Sequence, residues 1–163
     1  MKLTLSIVLT FFIFSLQVLA QDKGFIGYKH KGVVYGEKLP NGLKDLGGGL
    51  LSNENYGVTR YAKDKKYYLW LEKIVSRDLQ GVPNWIVRDV LEFDGLKKNQ
   101  EFLFSISSTC TLNGRQNPDL IVFAEKTQRG KSYKVLKAWK ANVKSEKFEN
   151  LSTKGIQCRA GAS

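Results

Sequence analysis

From residue 56 onward, short apolar runs alternate with polar turns, which is the pattern of antiparallel strands. Residues 56–62 and 67–75 are rich in β-branched and aromatic side chains. They flank Lys63-Asp64-Lys65-Lys66, which predicts a hairpin with a loop of about four residues. Tyr67-Tyr68-Leu69-Trp70-Leu71 is apolar on both alternating faces, so it should lie centrally in its sheet. In residues 85–93, Trp85, Val87, Leu91 and Phe93 fall on one side, with Asp89 the lone exception. Residues 102–106 and 120–124 predict two more strands. Turns are expected at residues 78–83, at Asp94-Gly95 with Lys97-Lys98-Asn99, at residues 113–118 and at Arg129-Gly130.

The first third is less regular. Phe25-Ile26 and Val33-Val34-Tyr35 are short apolar pieces split by Lys29-His30-Lys31-Gly32. Residues 36–55 read as loop: Pro40-Asn41-Gly42 is turn chemistry, Gly47-Gly48-Gly49 a flexible break, and Asn53-Glu54-Asn55 polar. Residues 133–143 fit two periods. With period two, Tyr133, Val135, Trp139, Ala141 and Val143 share a face that only Lys137 interrupts. With period 3.6, Val135, Leu136, Trp139 and Val143 form a stripe that would add one short helix near the C-terminus. β-branched content and the preceding glycine favour the strand. The fold class that follows is mainly β, an antiparallel meander of about seven strands closing as a sandwich or small barrel.

Residues 1–20 stand apart. One lysine precedes a nearly continuous apolar run, and Val18-Leu19-Ala20 offers small or modest residues before Gln21. That is the three-part pattern of a secretory signal peptide cleaved after Ala20, leaving residues 21–163 as a single β-rich domain. An uncleaved anchor is the alternative, but the run is short for a span of about 20 residues. Exported cysteines pair, so Cys110 and Cys158 read as one disulfide, worth roughly 4 kcal/mol in the chain-entropy limit. Two separate reduced thiols are the other reading.

Charge is the main functional clue. The formal net charge of +11 falls to +10 once Lys2 leaves with the leader. Lys63, Lys65 and Lys66 crowd one hairpin tip. Lys126, Arg129, Lys131 and Lys134 crowd another, and Lys137, Lys140, Lys144 and Lys147 continue from it beside Trp139. Basic groups interleaved with aromatics suit an anionic glycan, an acidic protein or lipid headgroups. Lysines on turns and edges also serve solubility. The chain has no nucleic-acid motif, and export argues against genomic DNA as the target. Lys63, Lys65, Lys66, Lys131, Lys134, Lys137, Lys140 and Trp139 are thus the candidate anion-binding residues, with Lys97 and Lys98 on a separate turn.

Catalytic signatures are sparse. The chain lacks G-x-S-x-G, a P-loop, H-E-x-x-H and C-x-x-C, and two cysteines with one histidine do not complete a zinc site. No cofactor, metal site or catalytic residue is assigned. His30, in a lysine-rich turn, reads as an exposed loop side chain. Its functional alternative is a general acid or base partnered by Glu92 or Glu101. Asp89, Glu92 and Asp94 read as a solvated rim, and Asn150-Leu151-Ser152 is a sequon relevant only in a eukaryotic host.

The stretch Ala138-Trp139-Lys140-Ala141-Asn142 through Lys147-Phe148-Glu149 to Lys154-Gly155-Ile156-Gln157-Cys158 resembles small exported proteins of cyanobacterial type with no assigned activity. The resemblance reaches back towards Tyr56. It implies export from a bacterial cell and a Cys110–Cys158 bridge, and carries over no functional residue. The expected function is an exported, non-catalytic basic β domain that binds an acidic partner in the periplasm or envelope. The alternative is a small secreted hydrolase, nuclease-like, using His30.

Overall fold

The computed structural model describes residues 23–32, 38–39, 41–104, 110–127 and 132–159. The expected leader, the Val33-Val34-Tyr35 piece, residues 105–106, the Arg129-Gly130 turn and Lys131 lie outside them. Every strand pairing is antiparallel. One sheet runs β1 (Lys29–Lys31), β5 (Pro83–Asp94), β4 (Lys66–Arg77), β3 (Tyr56–Lys63), β2 (Lys44–Leu50). A second runs β10 (Lys147–Leu151), β9 (Tyr133–Asn142), β8 (Leu120–Lys126), β6 (Gln100–Phe104), and β11 (Ile156–Gln157) pairs with β7 (Thr111–Leu112). The two larger sheets are open, so the fold is a sandwich and not a barrel.

Pleat alternation explains the layers. Leu69 and Leu71 of β4, Val58 of β3 and Leu91 of β5 meet Phe102, Phe104, Ile121 and Trp139 of the other sheet in the central core. On the far face of the five-stranded sheet, Tyr61, Tyr68, Trp70, Val87 and Val90 are covered by Leu39, Leu43, Phe25 and Tyr28. On the far face of the four-stranded sheet, Leu120, Val122, Ala124 and Ala138 lie under Ile156, Leu112 and the Cys110–Cys158 disulfide. The central position expected for residues 67–71 holds: β4 has two neighbours on each side.

Three local departures matter. Residues 133–142 form strand β9, so no helix forms there, but the register skips Leu136 between Ala124↔Val135 and Phe123↔Lys137. This bulge puts Val135 and Ala138 on one face and Trp139 and Ala141 on the other, dividing the side expected to be continuous. Arg88 is skipped likewise in β5, so Val87 and Leu91 face opposite ways. Asp89 then points into the seam, where its Oδ2 accepts from the Phe148 N–H at 2.7 Å. The glycine tract 47–49 is edge strand β2, not a loop. A Cβ at Gly48 would lie 2.2 Å from the Val58 carbonyl oxygen, so only glycine allows this approach. The ladder slips between Asp45 and Gly48, and Arg60 donates to the carbonyls of Leu46 and Gly47 at 2.8 and 3.3 Å. The first hairpin closes with two residues rather than four, with Asp64 at φ 56°.

Candidate functional site

Sheet alternation sends Tyr68, Trp70 and Glu72 of β4 outward from the central core, and Thr59 and Tyr61 of β3 beside them. On β1, Lys29 and Lys31 turn to solvent and His30 turns in, so the expected exposed histidine is in fact buried: its side chain is 4% exposed. The reason is that Lys29-His30-Lys31 is an edge strand on β5, not a turn. The His30 ring sits 5.8 Å from Trp70 and 5.9 Å from Tyr28. Its partner is neither Glu92 nor Glu101, which bond Lys66 and Tyr133. It is Glu72, whose side chain is 1% exposed, with Nε2 and Oε1 2.7 Å apart.

Hydrogen-bond directions fix the chemistry of this pair. Thr59 Oγ1 donates to Glu72 Oε2 at 2.6 Å, and the Tyr61 hydroxyl donates to Oε1 at 3.4 Å. His30 Nδ1 lies 3.0 Å from the Lys31 carbonyl, which only accepts. Both ring nitrogens therefore donate. Burial alone lowers the His30 pKa, but the hydrogen bond and charge of Glu72 outweigh it, with the Lys31 carbonyl and Asp45 adding, and hold it above the ordinary value. An imidazolium whose two N–H groups are spent has no lone pair with which to take a proton.

The pair forms part of a cleft of about 680 Å³, walled by Asp45 and the 47–49 glycine strand on one side and by Pro83 and Trp85 on the other. Asp45 is 7% exposed, and burial raises its pKa against the Gly47 N–H and the charges of His30 and Arg60. Sequence reasoning missed Glu72 and Asp45. The signal for Glu72 was available: a lone acid continuing the Tyr68, Trp70 face of a central strand requires a buried cation, and this chain has one histidine.

The predicted lysines divide. Gly95 N–H bonds the Lys65 carbonyl at 2.8 Å, Lys66 lies opposite Asp94 in the β4–β5 register, Lys126 N–H bonds the Asn99 carbonyl at 2.8 Å, and Glu125 lies opposite Lys134 in the β8–β9 register. This chain of neighbours brings Lys63, Lys65, Lys66, Lys97, Lys98, Lys126 and Lys134 to one end of the sandwich. The 97–98 turn is thus not separate; it joins the two lysine groups. Lys66 is engaged by Glu92, and Lys63 donates to the Asn41 carbonyl at 3.1 Å. The ammonium groups of Lys65, Lys97, Lys98, Lys126 and Lys134 have no partner among the described residues. Lys137 and Lys140 do not join them. They lie about 10 and 20 Å further along β9, across the Leu136 bulge, and the register sets them on opposite faces. Trp139 is 5% exposed in the central core, so it is no surface stacking platform.

The expected disulfide joins Cys110 and Cys158. Among the described residues no cluster of three His, Cys, Asp or Glu is placed to hold a metal, and no helix is long and apolar enough to cross a membrane. No family model, curated protein or solved structure matches the chain.

Proposed function

We propose that this protein is an exported, non-catalytic β domain that holds an acidic partner in the periplasm or envelope at its basic end. An acidic protein segment, an anionic glycan and a lipid headgroup share the chemistry that this end would recognise. The observation that carries the reading is the convergence of the turns at residues 63–66 and 94–99 with the facing strand ends at Lys126 and Lys134, which gathers five lysines that have no hydrogen-bond or ion-pair partner among the described residues. Such a cluster raises the local potential and speeds the encounter with polyanions. The leader pattern and the disulfide support export. The hydrolase alternative depends on His30, and the two hydrogen bonds at its ring argue against a role as base.

Salt dependence tests the reading. With a DNA duplex used only as a polyanion of known charge density, five lysines should give a log–log slope of affinity against salt of about −4.5. Reversing Lys65, Lys97, Lys98 and Lys134 to Glu should flatten that slope and weaken binding together. Reversing Lys137 and Lys140 should do much less. A flat salt dependence, or equal losses from both sets, overturns the proposal and leaves the lysines to solubility.

A further inference from the structure

We propose that the cleft on the outer face of the five-stranded sheet binds a primary ammonium or guanidinium group, with Asp45 as its anionic contact. This site is separate from the basic end and stands or falls without it.

Hydrogen-bond accounting supports the choice of ligand. Asp45 Oδ1 accepts from the Gly47 N–H, while Oδ2 has no hydrogen-bond partner among the described residues. The side chain is nonetheless buried in the cleft wall. Tyr61 and Thr59 have each given their proton to Glu72 and retain only lone pairs. His30 has donated both N–H groups. Among the polar side chains of this floor, what remains free accepts. A ligand that satisfies them must donate, and ammonium and guanidinium are donor-only groups.

Charge points the same way. Glu72 bonds the His30 imidazolium directly, whereas Asp45 feels the charges of His30 and Arg60 without an ion pair to either, and Lys31 is held by Asp78 at 2.6 Å. Asp45 is therefore a buried carboxylate with no direct cationic contact among the described residues, although the chain as a whole is strongly basic. Distant lysines are screened beyond about 8 Å at physiological salt. Burial also raises the Asp45 pKa, and an arriving cation would offset the cost of that buried anion. Trp85 lies over Gly57, where a Cβ would sit 3.2 Å from the ring, and supplies an aromatic wall to the same cavity. The cation could arrive as a free amine or as a basic side chain of a peptide.

Calorimetric titration of the whole protein decides it. Butylammonium and ethylguanidinium should bind saturably, one per chain, whereas butanol and butanoate should not. Asp45→Asn should weaken butylammonium about tenfold or more. Trp85→Leu should weaken it several-fold, and Glu54→Gln, on an exposed turn, should leave it unchanged. Tighter binding of acetyl-lysine amide than of butylammonium assigns a peptide source; the reverse assigns a free amine. If Asp45→Asn does not fold, the amine-against-alcohol comparison and Trp85→Leu still decide. Butanol matching butylammonium, no saturable binding, or equal affinity for wild type and a folded Asp45→Asn overturns the proposal.

Discussion

The two outward faces of the sandwich solve the same problem in different ways. Each carries apolar side chains that the central core does not use, so each needs a cover. On the four-stranded sheet the cover is the β7–β11 pair, fixed by the Cys110–Cys158 bond over Leu120, Val122, Ala124 and Ala138. That interior is aliphatic. On the five-stranded sheet the cover comes from Phe25, Tyr28, Leu39 and Leu43 over an aromatic face, and part of that face stays open as the cleft. Both buried charged residues among those described, Asp45 and Glu72, lie on this side. A covalent clasp over small side chains asks for no polar partner. A cover made from separate segments leaves room for an ion pair and for a ligand. Stability on one face should therefore depend on redox state, and on the other on pH.

The largest effect should come from the ion pair. His30→Ala leaves the Glu72 carboxylate buried without its cation and should cost about 3–5 kcal/mol in urea unfolding. Replacing both partners, His30→Leu with Glu72→Met, should recover much of that loss, because well-packed apolar groups can replace a buried pair. Protonation gives the sign with pH. The folded pKa of His30 lies above its ordinary 6.5, so the pair's stabilisation is complete below 6.5 and is lost as pH rises through the folded value. Wild type should lose stability as pH rises above 6.5, while the double variant should lose less. Equal slopes would place the charge elsewhere.

Removing the clasp comes second. Cys110→Ala with Cys158→Ala should cost roughly 2–4 kcal/mol, with little dependence on pH in the same range. The loss should fall on one face. Limited proteolysis should cut near residues 152–159 before the sheets, and the titration of His30, followed by NMR, should not move. A shifted His30 titration would mean that the two faces are coupled through the core.

What the sequence shows follows the same division. The clasp is legible because a chain with two cysteines has one possible internal pairing. The central strand is legible because the run at residues 67–71 has no polar face. Strand β9 is legible too, but not its phase: one skipped residue at Leu136 exchanges the faces, and nothing in the local composition marks it. Arg88 does the same in β5, and Asp89, out of place in the alternation, is the visible trace of that slip. The cleft is the least legible part. Its wall is a glycine tract that composition assigns to a loop, because the requirement for Gly48 arises from a backbone far along the chain, at Val58. His30 hides for a related reason. Two flanking lysines suggest a solvated turn, whereas the exposed–buried–exposed alternation of an edge strand produces the same three letters.

The smallest effect separates the two sheets' shared seam from either outer face. Glu146, in the β9–β10 turn, accepts from the Tyr56 hydroxyl at 2.7 Å and from Lys73 at 3.1 Å through Oε1, and pairs with Arg88 through Oε2. It clips the four-stranded sheet to three strands of the other. Burial by itself would raise its pKa, but Tyr56, Lys73 and Arg88 outweigh burial and bring it from 4.5 to about 2. Glu146→Gln keeps the shape and removes the charge, and should cost about 1–2 kcal/mol at neutral pH. A lowered folded pKa means that this stabilisation is present above 4.5 and fades as pH falls towards about 2. The gap between wild type and variant should thus close in acid. Asp45 and Asp78 titrate in both proteins, so their contributions cancel in that difference. A Glu146→Gln gap that stays constant down to about pH 2 would show that the turn acts through packing and not through its charge.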